Sequence, residues 1–171
     1  MTRPDDARSG ILHGLAPEAA GDARVLILGS LPGAASLARQ RYYAHPRNQF
    51  WLLVEQATGH PLVALDYAAR LEALRRCRIA LWDMVAQGTR RGSLDQDLAV
   101  AALHDVAGLV AGLPDLALVG FNGTKAAALG RGLILPPGVE RIVLPSSSPA
   151  NTMPLARKLE GWRRIGEVLG A

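Results

Sequence analysis

Arg24-Val25-Leu26-Ile27-Leu28-Gly29-Ser30-Leu31-Pro32-Gly33 begins as a short apolar run and closes on a turn rich in glycine and proline. The run is apolar at every position from Val25 to Leu28, which suits a strand buried on both faces, as in a parallel sheet. The same shape recurs at Arg78-Ile79-Ala80-Leu81-Trp82-Asp83, at Leu116-Ala117-Leu118-Val119-Gly120 and at Glu140-Arg141-Ile142-Val143-Leu144. Each run is too short for a helix of average length, and each is followed by turn or loop residues. Helical patterns lie between them. Phe50 to Thr58 is an apolar segment closed by Gly59, and Asp66 is placed to cap a helix carrying Leu71 and Leu74. Residues 97–112 set Leu98, Ala102, Val106, Leu109 and Val110 near helical spacing, with Pro114 after the stop. A shorter alanine-rich helix is predicted from Gly123 to Leu129. The last segment puts Leu155, Leu159, Trp162, Ile165 and Leu169 on one stripe and leaves Lys158 and Arg164 off it.

Strands alternating with helices imply right-handed crossovers, so the predicted fold class is α/β. The expected form is a three-layer α/β/α sandwich around a mainly parallel sheet of about four strands. Ligands bind such sheets beyond the carboxyl ends of the strands. The loops starting at Ser30, Met84, Phe121 and Pro145 are therefore predicted to share one rim.

A chain of 171 residues fits one domain with one core. Residues 11–171 are predicted to form it, and residues 1–10, polar and mixed in charge, to be a loose tail. The composition, 49% hydrophobic and 20% charged, is that of an ordinary soluble protein. No segment approaches the roughly 20 apolar residues of a membrane-spanning helix, and the start lacks a secretory signal pattern. A cytoplasmic monomer without membrane contact is expected. Cys77 is the only cysteine, which excludes an internal disulfide, a cysteine-built zinc site and a four-cysteine iron–sulfur cluster. It reads as a small buried hydrophobe rather than a reactive thiol. No cofactor or metal is implied. A net charge of +4, from 19 Lys+Arg against 15 Asp+Glu, permits an anionic partner without requiring one.

Three loops carry candidate chemistry. Gly29, Pro32 and Gly33 set a tight turn that would expose backbone N–H groups to a ligand, yet neither phosphate-loop pattern is present. Tyr42-Tyr43-Ala44-His45-Pro46-Arg47-Asn48-Gln49-Phe50-Trp51 follows. Its paired aromatics suit stacking on a flipped base, and the Asn48 amide suits holding a base edge or a water. On spacing alone, Asn48 is also a natural cap for the helix near Phe50, and His45 reads as turn packing. Leu144-Pro145-Ser146-Ser147-Ser148-Pro149-Ala150-Asn151 would clamp phosphate oxygens or serve as a serine-rich connector. It is no Gly-x-Ser-x-Gly elbow, so a serine hydrolase is unsupported. Asn122, in Phe121-Asn122-Gly123-Thr124-Lys125, sits at a strand end before a helix start. Asp83 closes the second strand at the same rim; a loop-bracing role is the plainer reading, and a catalytic one the alternative.

Together these segments resemble the uracil-DNA glycosylase superfamily, and within it the hypoxanthine-DNA (deoxyinosine) glycosylase branch, with added support from Gly92-Ser93-Leu94-Asp95. The likeness runs from about Gly14 to the C-terminus. It implies a uracil-DNA glycosylase-like fold and a cofactor-free repair enzyme acting on DNA that contains a deaminated base, hypoxanthine or uracil. It places Asn48 in the catalytic role and Ser30, Leu31, Tyr43 and Asn122 against the base. Ser146, Ser147, Ser148, Pro149, Ala150 and Asn151 match the loop that presses on flanking DNA. Most of the superfamily carries an Asn or Asp at the position of Leu31 to orient the attacking water; here catalysis falls to Asn48. Lys125 shows no sign of a nucleophilic amine, so a monofunctional enzyme leaving an abasic site is implied. The alternatives are a mismatch-specific uracil or thymine glycosylase, against which Leu31 counts, and a non-catalytic α/β module that binds nucleotide or damaged DNA.

Overall fold

The structure is a computed structural model and describes residues 10–171, so the predicted tail, apart from Gly10, lies outside the described residues. In chain order the elements are β1 (Leu12–His13), β2 (Val25–Gly29), α1 (Ala34–Arg39), α2 (Phe50–Thr58), α3 (Tyr67–Arg76), β3 (Ile79–Asp83) and β4 (Val85–Thr89). A single 3₁₀ turn (Asp95–Asp97) leads to β5 (Ala99–Leu103), α4 (Val106–Ala111), β6 (Leu118–Asn122), α5 (Thr124–Leu129), β7 (Glu140–Leu144) and α6 (Leu155–Leu169).

The apolar runs do form one parallel sheet, in the order β3-β2-β6-β7. Successive side chains of a strand point to opposite faces, and the two cores divide accordingly. Val25, Ile27, Ile79, Leu81, Leu118 and Leu144 pack on one face with Phe50, Trp51, Leu74, Trp162 and Ile165 of α2, α3 and α6. Leu26, Leu28, Ala80, Val119 and Phe121 pack on the other with Val106 and Val110 of α4 and Ala126 of α5. This is the three-layer arrangement predicted. The outer edge of β3 is covered by Glu18, whose backbone bonds Leu81 in both directions at 2.9 and 2.8 Å, which blunts an otherwise open edge.

Helix ends follow their local chemistry. Asp66 accepts from the Ala69 N–H at 2.9 Å and starts α3, and Gly59 closes α2 in the left-handed conformation. Cys77 is half-buried, and burial pushes its thiol up, in keeping with an inert side chain.

The structure departs from expectation in three places. The helix predicted over residues 97–112 is a 3₁₀ turn, the strand β5 and the short helix α4. Asp105 breaks the pattern: its carboxylate accepts from the Gly108 N–H at 2.9 Å, so the helix starts there. The residues before it pair with β4 instead. β1, β4 and β5 form a second, antiparallel sheet that the sequence reading lacks altogether. It is pinned by Val85 and Leu98, which bury Leu31 between them and the main body. Lys158, read as lying off the buried stripe of α6, is in fact buried at 1% exposure.

Candidate active site

A cleft of about 680 Å³ opens at the carboxyl end of the parallel sheet. The turn after β2, the Tyr42–Asn48 region, Asn122 at the end of β6 and the loop after β7 all line it, so three of the four predicted loops meet. The fourth contribution differs from expectation. It comes from Asp83 itself and from residues 93–96 in the β4–β5 connection, not from Met84, which is buried beneath.

Gly29 explains the shape of the floor. A Cβ there would lie 2.5 Å from Asp83 Oδ1 and 3.6 Å from the Tyr43 hydroxyl, so only glycine lets the carboxyl and phenol close in around the strand end. Asp83 is 3% exposed, and its Oδ2 is the one buried side-chain polar atom without a hydrogen bond among the described residues. Burial, then the Asp95 charge, raises its pKa to about 7 against the opposing pull of Arg90.

Tyr43 adopts a left-handed backbone at φ 51°, uncommon for an aromatic residue. The surroundings hold it there. Its ring stacks on Phe50 with centroids 3.7 Å apart, Trp51 Nε1 donates to its carbonyl at 3.2 Å, and Asn122 Nδ2 donates to its hydroxyl at 3.3 Å. One ring face is thus covered by Phe50. Tyr42, its neighbour, is buried and donates its hydroxyl to the Ala16 carbonyl at 2.5 Å; it braces the wall.

Asn48 lines the cleft, and its Oδ1 accepts from the Phe50 N–H at 3.0 Å, two residues on, in a turn that leads into α2; the N-cap itself is Gln49. That bond fixes which way the amide faces and leaves Oδ1 a second lone pair and Nδ2 its two hydrogens. The expected N-cap role thus falls one residue later, and the turn bond leaves Asn48 room for a chemical role. His45 packs in the turn, with Nδ1 accepting from the Arg47 N–H at 3.1 Å.

Asn122 is engaged by the loop after β7. Its Nδ2 donates to Ser147 Oγ at 2.9 Å and its Oδ1 accepts from the Ser147 N–H at 2.9 Å. The left-handed Gly123 (φ 99°) lets Ser146 approach to 3.2 Å of where a Cβ would sit. Ser147 is buried, whereas Pro149 and Ala150 form the exposed tip. Ser146 and Ser148 brace the loop internally by accepting from the N–H groups of Ser148 and Ala150 at 3.2 Å each, and Asn151 Nδ2 donates to the Ser146 carbonyl at 3.0 Å. Lys158 Nζ ties this loop to the Asn48 segment, bonding the Asn151 carbonyl at 2.9 Å and Gln49 Oε1 at 2.8 Å.

Ser30 and Leu31 are held by the β4–β5 connection. The Ser30 hydroxyl donates to Asp95 Oδ1 at 2.6 Å, and the Ala34 N–H donates to Ser93 Oγ at 3.0 Å. Arg90, its side chain shielded from solvent, donates to the carbonyls of Leu31, Pro32 and Gly92 at 3.3, 2.6 and 3.1 Å. The Leu31 side chain is packed with Val85 and Leu98, so this position offers the cleft backbone and no side-chain amide. Arg90 and Lys158 escaped the sequence reading, because a lone arginine after a polar strand and a lysine in an amphipathic helix both look solvated. Lys125 is not among the residues lining the cleft.

A second cleft of about 660 Å³ shares Tyr42, Tyr43, His45 and Asn48 with the first and is bordered by Arg39, Arg41, Arg47 and Arg70. No group of three or more His, Cys, Asp or Glu able to hold a metal ion occurs among the described residues, nor any helix long and apolar enough to cross a membrane.

Residues 17–166, which hold every side chain of this cleft, match the family model described as the uracil DNA glycosylase superfamily. The chain belongs to that superfamily. It is 40% identical over 144 residues to the hypoxanthine DNA glycosylase of Methanosarcina acetivorans, spanning 82% of this chain and 89% of that protein. To the hypoxanthine DNA glycosylase of Methanosarcina barkeri it is 38% identical over 150 residues, 88% of this chain and 94% of the other. A solution NMR structure from Methanosarcina acetivorans, described as a candidate uracil DNA glycosylase, superposes with a TM-score of 0.81 at 37% identity, covering 94% of this chain and 99% of that one. In this chain the cleft is lined by the side-chain amides of Asn48, Gln96, Asn122 and Asn151.

Proposed function

We propose that this protein is a monofunctional DNA glycosylase that extrudes a deaminated base, hypoxanthine in deoxyinosine above all, and hydrolyses its bond to the sugar, leaving an abasic site for base excision repair. The observation that carries the reading is the convergence of Asn48, Asn122 and Tyr43 on one cleft at the sheet's carboxyl end, in a chain about 40% identical to proteins named hypoxanthine DNA glycosylase.

The bond between sugar and base breaks with oxocarbenium character, as in other glycosyl cleavages. Asn48, held by its bond to the Phe50 N–H, aligns the water that attacks the sugar or polarises the base. A neutral amide is a weak base, so positioning dominates its contribution. Asn122 and backbone N–H groups of the Gly29–Gly33 turn bond the base edge, and Tyr43 flanks it. Residues 146–151, with Pro149 and Ala150 at the tip, press on the DNA while the base is out. The arginines around the second cleft offer phosphates a cationic surface beside the pocket. Extrusion costs a few kcal/mol and is cheapest for a mispaired base, which favours deaminated sites. Residues 11–171 act as one domain, as a cytoplasmic monomer without metal or cofactor.

The test uses the purified protein, with chelator present, and end-labelled duplexes carrying one hypoxanthine or one uracil, followed by alkaline cleavage of abasic sites. Cutting at hypoxanthine is expected. Cutting at uracil alone would move the protein to another branch, and cutting at neither would leave a binding module.

A further inference from the structure

Gly29 of β2 pairs with Asp83 of β3, and on its other side β2 pairs with β6, where Leu28 faces Phe121 and Asn122 comes next. Side chains alternate along each strand, so Asp83, Gly29 and Asn122 share the face of Ile27, Leu81 and Leu118. The carboxyl of Asp83 and the amide of Asn122 therefore stand on the same side of the sheet, two strand spacings of about 4.8 Å apart. Only a glycine lies between them, and the gap is part of the cleft.

The Asn122 amide is bonded to Tyr43 and Ser147. The Asp83 carboxyl, by contrast, is 97% shielded, its Oδ2 has no partner, and no protein N–H or O–H among the described hydrogen bonds reaches Oδ1. A carboxylate buried without donors is costly, whereas a neutral carboxylic acid presents a proton that needs an acceptor. A purine supplies one at ring nitrogen N7; a pyrimidine has no such atom.

Resting on the glycosylase reading, we propose that Asp83, in its neutral acid form, is a second catalytic residue that protonates N7 of the extruded purine as the bond from sugar C1′ to N9 breaks. The bonding pair leaves with the base, the Asp83 proton neutralises it at N7, water oxygen bonds to C1′, and the water proton restores the Asp83 acid. The net reaction is hydrolysis, with water the only co-reactant. Burial and the Asp95 charge keep the proton on Asp83 up to about pH 7, which fits this role. The titratable and charged groups around it are Tyr42 and Tyr43 from the segment before α2, Asp95 and Arg90 from the β4–β5 connection, and His104, whose Nδ1 lies 2.9 Å from the Asp83 carbonyl.

The test is single-turnover excision of hypoxanthine across pH, with Asp83→Asn and Asp95→Asn beside the wild type. Affinity for a duplex carrying a cleavage-resistant 2′-fluorinated deoxyinosine reports on folding. Wild-type rate should fall as pH rises through about 7. Asp83→Asn should be slower at pH 6 by about 100-fold or more, keep its DNA affinity and lose the pH dependence. Asp95→Asn removes a like charge and should move the fall to lower pH, a result that stands even if Asp83→Asn does not fold. A wild-type rate in Asp83→Asn, a pH dependence that survives in it, or one unmoved in Asp95→Asn would overturn the assignment and turn attention to His45. A wild-type protein that releases no hypoxanthine overturns the glycosylase reading, and this inference with it, before any variant is compared.

Discussion

Ser147 and Asn122 grip each other at both ends: the Ser147 N–H donates to Asn122 Oδ1, and Asn122 Nδ2 donates to the Ser147 hydroxyl, each at 2.9 Å. The Asn122 amide and the loop after β7 are thus one unit, so on the proposed reading any movement of that loop against DNA changes what Asn122 has free to offer a base. Asn122→Ala leaves the buried Ser147 N–H without an acceptor, an expected loss of about 1–3 kcal/mol. Ser147→Ala removes one side-chain bond only and should cost about 1 kcal/mol. Thermal melts rank the two, and excision should be lost in the first and merely reduced in the second.

Asn48 holds the turn into α2 through the Phe50 N–H and faces the cleft, so a simple deletion confounds a structural effect with the proposed chemical one. Asn48→Ser keeps an oxygen for the Phe50 N–H, while Asn48→Ala forfeits that bond, about 1 kcal/mol. Both variants should lose excision by about 100-fold or more while binding DNA nearly as the wild type does. Equal losses of binding and excision, or activity retained in Asn48→Ser, would reduce Asn48 to its structural turn bond.

Arg90 bonds three carbonyls of the turn and its own loop. Arg90→Ala should lower stability by about 1–3 kcal/mol and slow excision through a loosened turn. Arg90→Lys should recover only part of either, because one ammonium cannot reproduce the planar fork. Melting curves and single-turnover rates on the same samples check both effects.

Asp83 makes stability depend on pH with a definite sign. The unfolded chain releases this proton near 3.8, and the folded chain keeps it to about 7. The native state binds the extra proton in between, so stability falls as pH rises across that window and then levels off. Asp83→Asn should therefore gain on the wild type in melting temperature between pH 5 and pH 8, by the equivalent of up to about 3 kcal/mol. A constant difference across pH would mean the carboxyl titrates normally in the folded state.

The parallel sheet was legible because strands buried on both faces write unbroken apolar runs, as at Val25 to Leu28. The antiparallel sheet was not: β1 has two residues, and β4 reads Val-Ala-Gln-Gly-Thr, with too little alternation to register. The helix misread over residues 97–112 had apolar residues at helical spacing; only the Asp105 cap, a tertiary choice between strand and helix, divides it. At the candidate site, Asn48, Tyr43 and Asn122 were picked out through the family resemblance, and all three line the cleft. Arg90 and Lys158 were not picked out, because their partners are backbone carbonyls and a glutamine far away in sequence, which leave no pattern in the chain.

The most direct measurement is mass spectrometry of both products after the protein meets a duplex with one deoxyinosine. Free hypoxanthine and an intact abasic strand in equal amounts are expected. An unchanged strand, or a strand cut without release of the base, would contradict glycosylase action at this cleft.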